Sequence, residues 1–167
     1  CNQACLDHTF GGKLTSCLVN PRACNETELV VDKAEAIKTV AVVGAGPAGL
    51  SVAMTAAERG HSVTLFDKAD EIGGQLNMAK QVPGKEEFRG LVDWYRAMVA
   101  DLGITVKLGH KVEADELAGY DEVVIATGVI PRDPQIPGQD GENVLSYIDV
   151  LRDKALVGEK VAVIGAG

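Results

Sequence analysis

The sequence has few aromatic residues, no long apolar run and no cluster of Lys and Arg. Aromatic side chains make up 4% of the 167 residues, whereas hydrophobic residues as a whole reach 46%, and Gly occurs 19 times. This balance is typical of α/β proteins with parallel sheets. The length allows one compact domain with appended segments rather than two ordinary domains.

Two of these absences argue against whole classes of partner. The formal net charge is −8, and without a basic cluster the chain has no surface suited to a phosphate backbone. The longest apolar runs, such as VAVVGAGPAGL, are interrupted by Gly and Pro well short of the ~20 residues that a membrane-spanning helix requires. We therefore expect a soluble, cytoplasmic protein with no nucleic-acid partner and no membrane partner.

The sequence also lacks the common signatures of covalent catalysis. It contains no nucleophile elbow, Walker phosphate loop or metalloprotease motif. His8, His61 and His110 lie far apart in different segments. We assign no catalytic residue, and we expect any reaction to depend on bound cofactors.

Beyond residue 24 there is no cysteine, so all four cysteines lie in a short segment near the beginning: Cys1, Cys5, Cys17 and Cys24. The segment contains Gly11, Gly12 and Pro21 together with several Asn and Thr residues, which predicts a loop. Such a cluster could form two disulfides in a secreted protein, but in a cytosolic protein it more often holds a metal or an iron–sulfur cluster. Soft thiolate ligands suit iron, and a loop lets several of them converge. The spacing alone leaves Cys24 open as a fourth ligand or a packed thiol.

Residues 39–68 carry the most informative motif. An apolar run at residues 40–43 predicts a strand that is buried on both faces. Gly44, Gly46 and Gly49 follow with G-x-G-x-x-G spacing, and apolar residues then recur at helical spacing up to Gly60, a plausible helix stop. The segment HSVTLFD predicts a second strand that ends at Asp67.

Each residue type in this motif suits a dinucleotide. Gly44 permits a tight turn, Gly46 lets the backbone approach a pyrophosphate, and Gly49 allows close packing of helix and strand. The free N–H groups at the start of the helix face the phosphates. Asp67 lies 23 residues after Gly44, where a carboxylate accepts hydrogen bonds from a ribose 2′-hydroxyl. An acid there favours NAD, FAD or ADP over NADP, and the motif does not choose among those three.

The middle of the chain continues the α/β pattern. Residues 68–88 predict a long loop, and residues 85–103 an amphipathic helix in which Trp94 and Tyr95 are packing residues. ITVKLG and HKVEAD predict two strand pieces, ADELAGY a short helical turn, and DEVVIATG a buried strand that brings Thr127 and Gly128 to its carboxyl end. Ligands bind at that end of the strands in an open α/β sheet.

The last part of the chain contains an internal repeat. Residues 129–143 predict a linker-like crossing, and Ser146 a cap for the helix YIDVLRDKAL. KVAVIGAG then repeats KTVAVVGAG, so that Gly165 and Gly167 correspond to Gly44 and Gly46. We expect a buried strand that opens a second dinucleotide-binding domain, and hence a chain that is an internal part of a larger protein.

Taken together, several segments resemble one family. They are similar to the C-terminal half of bacterial NADPH-dependent 2,4-dienoyl-CoA reductases and their NADH:flavin oxidoreductase relatives, which include trimethylamine dehydrogenase. The segments that carry this resemblance are CNQAC…SCLVNPRAC, VVGAGPAGL, LFDKADEIGGQLNMAKQVPGKEEF, VVIATGVIPR and VLSYIDVLRDKALVGEKVAVIGAG. The resemblance implies an α/β, Rossmann-like FAD/NAD(P)-binding domain with a parallel sheet, preceded by a cysteine-rich loop segment. It divides the chain into an iron–sulfur loop segment and linker (1–37), an incomplete FAD domain (38–158) and the beginning of an NAD(P)H domain (159–167).

In that family a TIM barrel with FMN precedes a 4Fe–4S cluster, and domains for FAD and NAD(P)H follow. The resemblance implies that Cys1, Cys5 and Cys17 match the second, third and fourth cluster ligands, that the first ligand precedes Cys1, and that Cys24 is no ligand. It implies cofactor contacts from the residues Gly44, Gly46, Pro47, Ala48, Gly49, Asp67, Lys68, Gly74, Gln75, Lys85, Val112, Thr127, Gly128, Gly165 and Gly167.

The function implied is electron transfer from NAD(P)H through FAD and the cluster to an FMN-containing barrel that reduces an unsaturated substrate such as a 2,4-dienoyl-CoA. The partners implied are the TIM-barrel and NAD(P)H domains of the longer protein. One alternative is a non-catalytic ADP-binding module, as in the trimethylamine dehydrogenase branch. Another is a disulfide reductase, which would need a C-x-x-C motif that this sequence lacks.

Overall fold

The computed structural model describes residues 4–165, and a parallel sheet forms its centre. The strands are β1 (Thr39–Val43), β2 (Ser62–Phe66), β3 (Thr105–Lys107) and β4 (Glu122–Ile125). They are ordered β3-β2-β1-β4, and each neighbouring pair is parallel. This is the strand order of the first half of a doubly wound sheet, so the predicted Rossmann-like α/β fold is confirmed.

The helices described are α1 (Ala4–Phe10), α2 (Pro47–Glu58), α3 (Leu76–Ala79), α4 (Phe88–Asp101) and α5 (Tyr147–Leu151), with a 3₁₀ helix at Ala114–Leu117. Helices α2 and α4 pack against one face of the sheet. The core between them and the strands consists of the buried side chains Val40, Val42, Leu50, Ala53, Met54, Val63, Leu65, Tyr95 and Val99. No helix in this part of the chain is both long and apolar enough to cross a membrane.

The first βαβ unit matches the sequence prediction closely. Val40, Ala41 and Val42 are buried in β1, as an apolar run without alternation predicts. Helix α2 ends at Glu58, and Gly60 follows with φ +97°, a left-handed conformation that favours Gly after a helix. The predicted buried strand, helix and helix stop are therefore confirmed.

Helix α4 confirms its predicted apolar stripe and the packing of its two neighbouring aromatic residues. Tyr95 is buried between α4 and the sheet, whereas Trp94 is 47% exposed. Neighbouring residues lie about 100° apart around a helix, so Trp94 is turned away from the buried face. Its ring packs beside that of Tyr95, with 5.1 Å between centroids. Both residues therefore pack as predicted, Tyr95 in the buried core and Trp94 against the Tyr95 ring at the surface.

Strand β4 forms where predicted, but it is not buried. Val123 and Ile125 are 41% and 65% exposed, and they lie on the sheet face opposite α2 and α4, beside Ala41 and Val43. β4 is the last strand in the sheet order, so among the described residues no further strand covers its outer edge. The apolar run in DEVVIATG predicted a buried strand, but within the described residues Val123 and Ile125 of β4 are exposed.

Two further strand predictions are wrong. HKVEAD forms no strand and instead enters the 3₁₀ helix, where Glu113 and Glu116 make a reciprocal capping box. Residues 161–165 of KVAVIGAG form no regular secondary structure and are exposed, with Val163 at 77%. A strand requires a neighbour for its backbone hydrogen bonds, and no neighbour pairs with these residues in the described part of the chain.

Three loop and helix predictions need smaller corrections. Cys5 lies in α1 rather than in a loop, and the hydroxyl of Thr9 donates to the carbonyl of Cys5 within that helix, at 2.7 Å. The long loop after β2 contains α3. Helix α5 begins after Ser146 as predicted but ends at Leu151. Lys154, with φ +60°, excludes the predicted continuation of the helix to residue 156.

Candidate functional site

The turn between β1 and α2 is too tightly packed for side chains at two of its glycines. Gly44 has φ +113°, and a Cβ on it would overlap the backbone carbonyl of Ala126, just beyond β4. A Cβ on Gly49 would overlap the carbonyl of Gly44. The backbone therefore follows the path that the predicted roles of Gly44 and Gly49 require.

The beginning of α2 leaves backbone donors open. Gly46 is the N-cap and has no side chain that could cap the helix. Pro47 occupies the first turn, and Ala48 is exposed. The first N–H groups of a helix have no acceptor within the helix. The nearest atom to a Cβ on Gly46 would be the Cα of Gly74, 3.9 Å away, so the surface over Gly46 is open. This geometry suits an anionic group such as a pyrophosphate.

Asp67 lies immediately after β2 and bonds to the glycine turn itself. Its Oδ2 accepts a hydrogen bond from the Ala45 N–H at 2.6 Å, and its Oδ1 accepts one from the Ala69 N–H at 2.8 Å. A carboxylate oxygen has a second lone pair, so a ribose hydroxyl can still donate to it. The contact with Ala45 shows that Asp67 also holds the shape of the turn, a role that the sequence analysis missed and that motif spacing does not signal.

A second glycine turn, at Gly73 and Gly74, packs against the first. The Gly73 N–H donates to the carbonyl of Ala45 at 2.8 Å, and a Cβ on Gly74 would lie 2.9 Å from the Cα of Gly46. The side-chain amide of Asn77 donates to the Ile72 carbonyl at 2.9 Å. The predicted residue Gly74 therefore lies beside Gly46, although 28 residues separate them in the sequence.

A mostly apolar cleft of ≈ 280 Å³ opens next to this double turn. It lies between the beginning of α2, helix α3 and helix α5. Its lining residues are Pro47, Gln75, Leu76, Met78, Ala79, Tyr147 and Leu151. Pro47 and Gln75 were predicted to contact the cofactor. The contributions of α3 and α5 were not, because only the folded chain brings α5 close to the glycine turn.

The other predicted residues at the carboxyl end of the sheet also gather there. The Ala126 N–H donates to the carbonyl of Val43 at 2.7 Å, which places Thr127 and Gly128 directly after the strand that flanks the turn. After β3, the N–H groups of Gly109 and His110 donate to the carbonyls of Ala69 and Asp67 at 2.8 and 2.9 Å. The loop that carries Val112 is thereby fixed near Asp67.

Four of the predicted cofactor-contacting residues have no described contact that joins them to the two glycine turns. Lys68 and Lys85 are exposed, one directly after Asp67 and the other before α4. Gly165 lies in the exposed terminal segment, with no atom within 4 Å of where its Cβ would be. Gly167 lies outside the described residues.

The cysteines show one feature suited to a metal ligand. The sulfur of Cys17 accepts hydrogen bonds from the N–H groups of Asn20 and Val19, each at 3.4 Å, and these bonds lower the pKa of its thiol. A lower pKa favours the thiolate that metals require. Cys5 is half-buried and Cys24 is exposed. Within residues 4–165 no three His, Cys, Asp or Glu side chains form a metal-binding group, and Cys1 lies outside that range, so the ligand set stays a prediction.

Comparison with known proteins gives consistent matches. The family profile of the pyridine nucleotide-disulphide oxidoreductases matches residues 38–167. A cinnamate reductase of Clostridium sporogenes and an NADH oxidase of Thermoanaerobacter brockii are 41% and 39% identical over 100% of this chain. A solved 2-naphthoyl-CoA reductase, in complex with 2-naphthoyl-CoA, matches 95% of this chain with a TM-score of 0.88 and 37% identity. The chain spans 25% to 27% of the length of these three proteins.

Proposed function

Because the chain belongs to the pyridine nucleotide-disulphide oxidoreductase family, we propose that residues 38–158 bind FAD and serve an NAD(P)H-dependent flavin oxidoreductase. Membership implies an oxidoreductase domain that uses FAD and NAD(P)H. The resemblance to the NADH:flavin oxidoreductases is confirmed by the cinnamate reductase, NADH oxidase and 2-naphthoyl-CoA reductase matches.

The observation that carries the proposal is the double glycine turn held by Asp67. The N–H groups around Gly46 and Ala48 would bind the pyrophosphate, and Asp67 would accept from the ribose while it holds Ala45. Gln75 lines an apolar cleft beside this turn, which offers room for more of the cofactor than its ADP half. That cleft favours FAD over ADP alone.

The longer protein would use this domain in a relay. When bound, FAD would take a hydride from NAD(P)H and release electrons singly. We propose that these electrons reach a 4Fe–4S cluster held in part by Cys1, Cys5 and Cys17. From the cluster they would pass to an FMN in a barrel that reduces an unsaturated substrate such as a 2,4-dienoyl-CoA. The residues of this chain would orient the nucleotide and the cluster, and the substrate pocket would lie in the barrel.

Calorimetric titration of this chain with FAD and, separately, with ADP tests the nucleotide site. Clearly tighter binding of FAD supports the proposal. Equal affinities favour the alternative, an ADP-holding module of the trimethylamine dehydrogenase type. Binding of neither nucleotide would overturn the assignment of the turn.

The cluster is tested in the full-length protein by replacing single cysteines with Ser. We expect Cys5→Ser and Cys17→Ser to abolish the iron–sulfur absorption after anaerobic reconstitution. Cys24→Ser is the matched control, because Cys24 lies in the same segment but is exposed and matches no ligand. Full absorption in Cys5→Ser and Cys17→Ser would remove the cluster from the proposal.

A further inference from the structure

The loop between β3 and the 3₁₀ helix carries Val112, one of the expected cofactor contacts. Val112 is half-buried, and neither its N–H nor its carbonyl pairs with another group in the described part of the chain. An open donor and an open acceptor on one residue can bind the edge of adenine, which has an acceptor at N1 and a donor at N6. Guanine reverses that polarity at the same two positions.

One carboxylate holds this loop on both sides of Val112. The Oε1 of Glu116 accepts a hydrogen bond from the Glu113 N–H at 2.9 Å, and its Oε2 lies 2.8 Å from the Nε2 of His110. Glu113 directly follows Val112, and His110 precedes it by two residues. Removal of this carboxylate would release both flanks together.

The His110 side of the loop is also joined to the nucleotide turn. The His110 N–H donates to the Asp67 carbonyl at 2.9 Å, and the His110 ring packs near Phe66 at the end of β2, with 6.0 Å between centroids. Asp67 in turn accepts from Ala45 in the glycine turn. The chain of contacts therefore runs from Glu116 through His110 to the residues expected to hold the ribose.

The charges around the loop support the ionised form of Glu116. The Glu113 N–H, followed by the His110 side chain, lowers the pKa of Glu116, and Lys107 at the end of β3 adds a smaller effect in the same direction. Lys111 pairs instead with the Glu113 carboxylate, at 3.2 Å. Glu116 is therefore the one of these two acids that faces His110.

We propose that Glu116 is a positioning residue for the adenine end of the cofactor: it holds the Val112 backbone in the orientation that selects adenine over guanine. The inference rests on the proposed nucleotide site and adds to it a residue that touches no part of the nucleotide. Glu116 acts through Val112, so its loss changes base selectivity as well as affinity.

The test compares ADP and GDP binding to this chain by calorimetry, for the unaltered protein and for Glu116→Ala, Glu116→Gln and Asp115→Ala. We expect Glu116→Ala to weaken ADP binding about tenfold, the loss expected for hydrogen bonds to a charged group, with a much smaller change for GDP. Glu116→Gln keeps an acceptor for the Glu113 N–H. Its preference for ADP over GDP should therefore lie between that of the unaltered protein and that of Glu116→Ala. Asp115→Ala removes the same charge one residue away and should leave both affinities unchanged.

The outcomes separate this inference from the proposed function. If the unaltered chain binds neither ADP nor FAD, the proposed function fails and this inference with it. If the unaltered chain prefers ADP to GDP and Glu116→Ala keeps that ratio, only the role of Glu116 is refuted. Circular dichroism and the urea midpoint verify that Glu116→Ala is folded, so lowered affinity with an unchanged ADP/GDP ratio likewise refutes the role of Glu116.

Discussion

At the scale of single residues, the glycines of the first turn differ in what they permit. Gly44 and Gly49 have no room for a Cβ, whereas the surface over Gly46 is open. The spacing G-x-G-x-x-G predicts a different role for each of the three, and the packing around them agrees with that prediction. Gly44 combines two constraints, because its φ of +113° would strain any other residue.

Gly44→Ala should therefore unfold more easily than the unaltered chain. We expect a loss of about 3 kcal/mol in the free energy of unfolding, from backbone strain together with overlap on Ala126. Urea denaturation followed by circular dichroism measures it.

Gly90→Ala in α4 is the matched control for this substitution. A Cβ on Gly90 would have no atom within 4 Å, so Ala there should add about 0.5–1 kcal/mol through its helix propensity. An equal effect of the two substitutions would contradict the steric argument for Gly44.

Asp67 shows the limit of motif reasoning at this scale. Its position at the end of β2 predicts a ribose contact, but its bond to the Ala45 N–H depends on how the turn approaches the strand. Spacing in the sequence contains no information on that approach.

The bond to Ala45 changes what Asp67 substitutions should do. Asp67→Asn retains a side-chain oxygen that can accept from Ala45 and should weaken ADP binding several-fold with the fold intact. Asp67→Ala should weaken binding further and also lower the urea midpoint. Titration calorimetry and denaturation separate the two effects, and unchanged ADP affinity in both variants would remove Asp67 from the nucleotide site.

At the scale of elements, β4 is held to β1 where the two strands begin. The carboxylate of Asp121, just before β4, accepts hydrogen bonds from the N–H and the hydroxyl of Thr39, each at 2.7 Å. The Thr39 N–H, followed by its hydroxyl, lowers the pKa of Asp121 below its ordinary value of 3.8. A pKa that is lower in the folded than in the unfolded chain stabilises the fold above the ordinary pKa, and this contribution is lost as the pH falls through the folded-state value.

Asp121→Asn should thus reduce the loss of stability on acidification. We expect the urea midpoint of the variant to fall less between pH 5 and pH 3 (roughly the range around the ordinary Asp pKa) than that of the unaltered chain. Asp32→Asn, which alters an exposed acid in the linker before β1, serves as the control. A steeper acid dependence in Asp121→Asn than in the control would contradict the assignment.

The cysteine-rich segment is attached to the carboxyl-terminal end of α2. The Arg22 guanidinium pairs with the Glu58 carboxylate, the Lys33 ammonium donates to the Glu58 carbonyl at 2.8 Å, and the Ala34 N–H donates to the Arg59 carbonyl at 2.9 Å. Cations are favourable at this end of a helix. The attachment therefore lies at the opposite end of α2 from the glycine turn at Gly44 and Gly46.

Glu58→Gln should loosen this attachment without altering the sheet. We expect faster amide hydrogen exchange in residues 11–34, with unchanged exchange in β1 and β2. Glu87→Gln, which changes an exposed acid before α4, should leave both regions unchanged. Equal protection of residues 11–34 in all three proteins would show that the ion pair does not hold the segment.

The element scale also explains which predictions failed. The apolar run of β1 and the stripe of α4 were predictable because both bury their apolar side chains in the same core. HKVEAD contains a single strand-favouring residue, Val112, and the capping box of Glu113 and Glu116 begins a 3₁₀ helix at Ala114 instead. KVAVIGAG repeats β1 closely, yet a strand requires a partner that the sequence pattern does not identify.

At the scale of the whole molecule, several large apolar side chains are exposed in β4 and in the chain that follows it. Ile125, Val129, Ile130 and Leu156 are exposed, Leu156 at 97%. Soluble monomers seldom expose large contiguous apolar patches. The chain spans about a quarter of the length of its relatives.

The uncovered face of β4 therefore predicts a property of residues 1–167 in isolation. We expect this chain to bind the fluorescent probe ANS and to associate at micromolar concentration, because Val123 and Ile125 present β-branched side chains on an open sheet face and edge. Ile125→Thr preserves strand propensity and removes apolar area, so it should lower both signals. Ile37→Thr removes the same area from an exposed residue outside this face and should lower them less. Fluorescence titration and sedimentation velocity measure the two signals, and equal effects of both substitutions would show that the face of β4 is not the surface through which the chain associates.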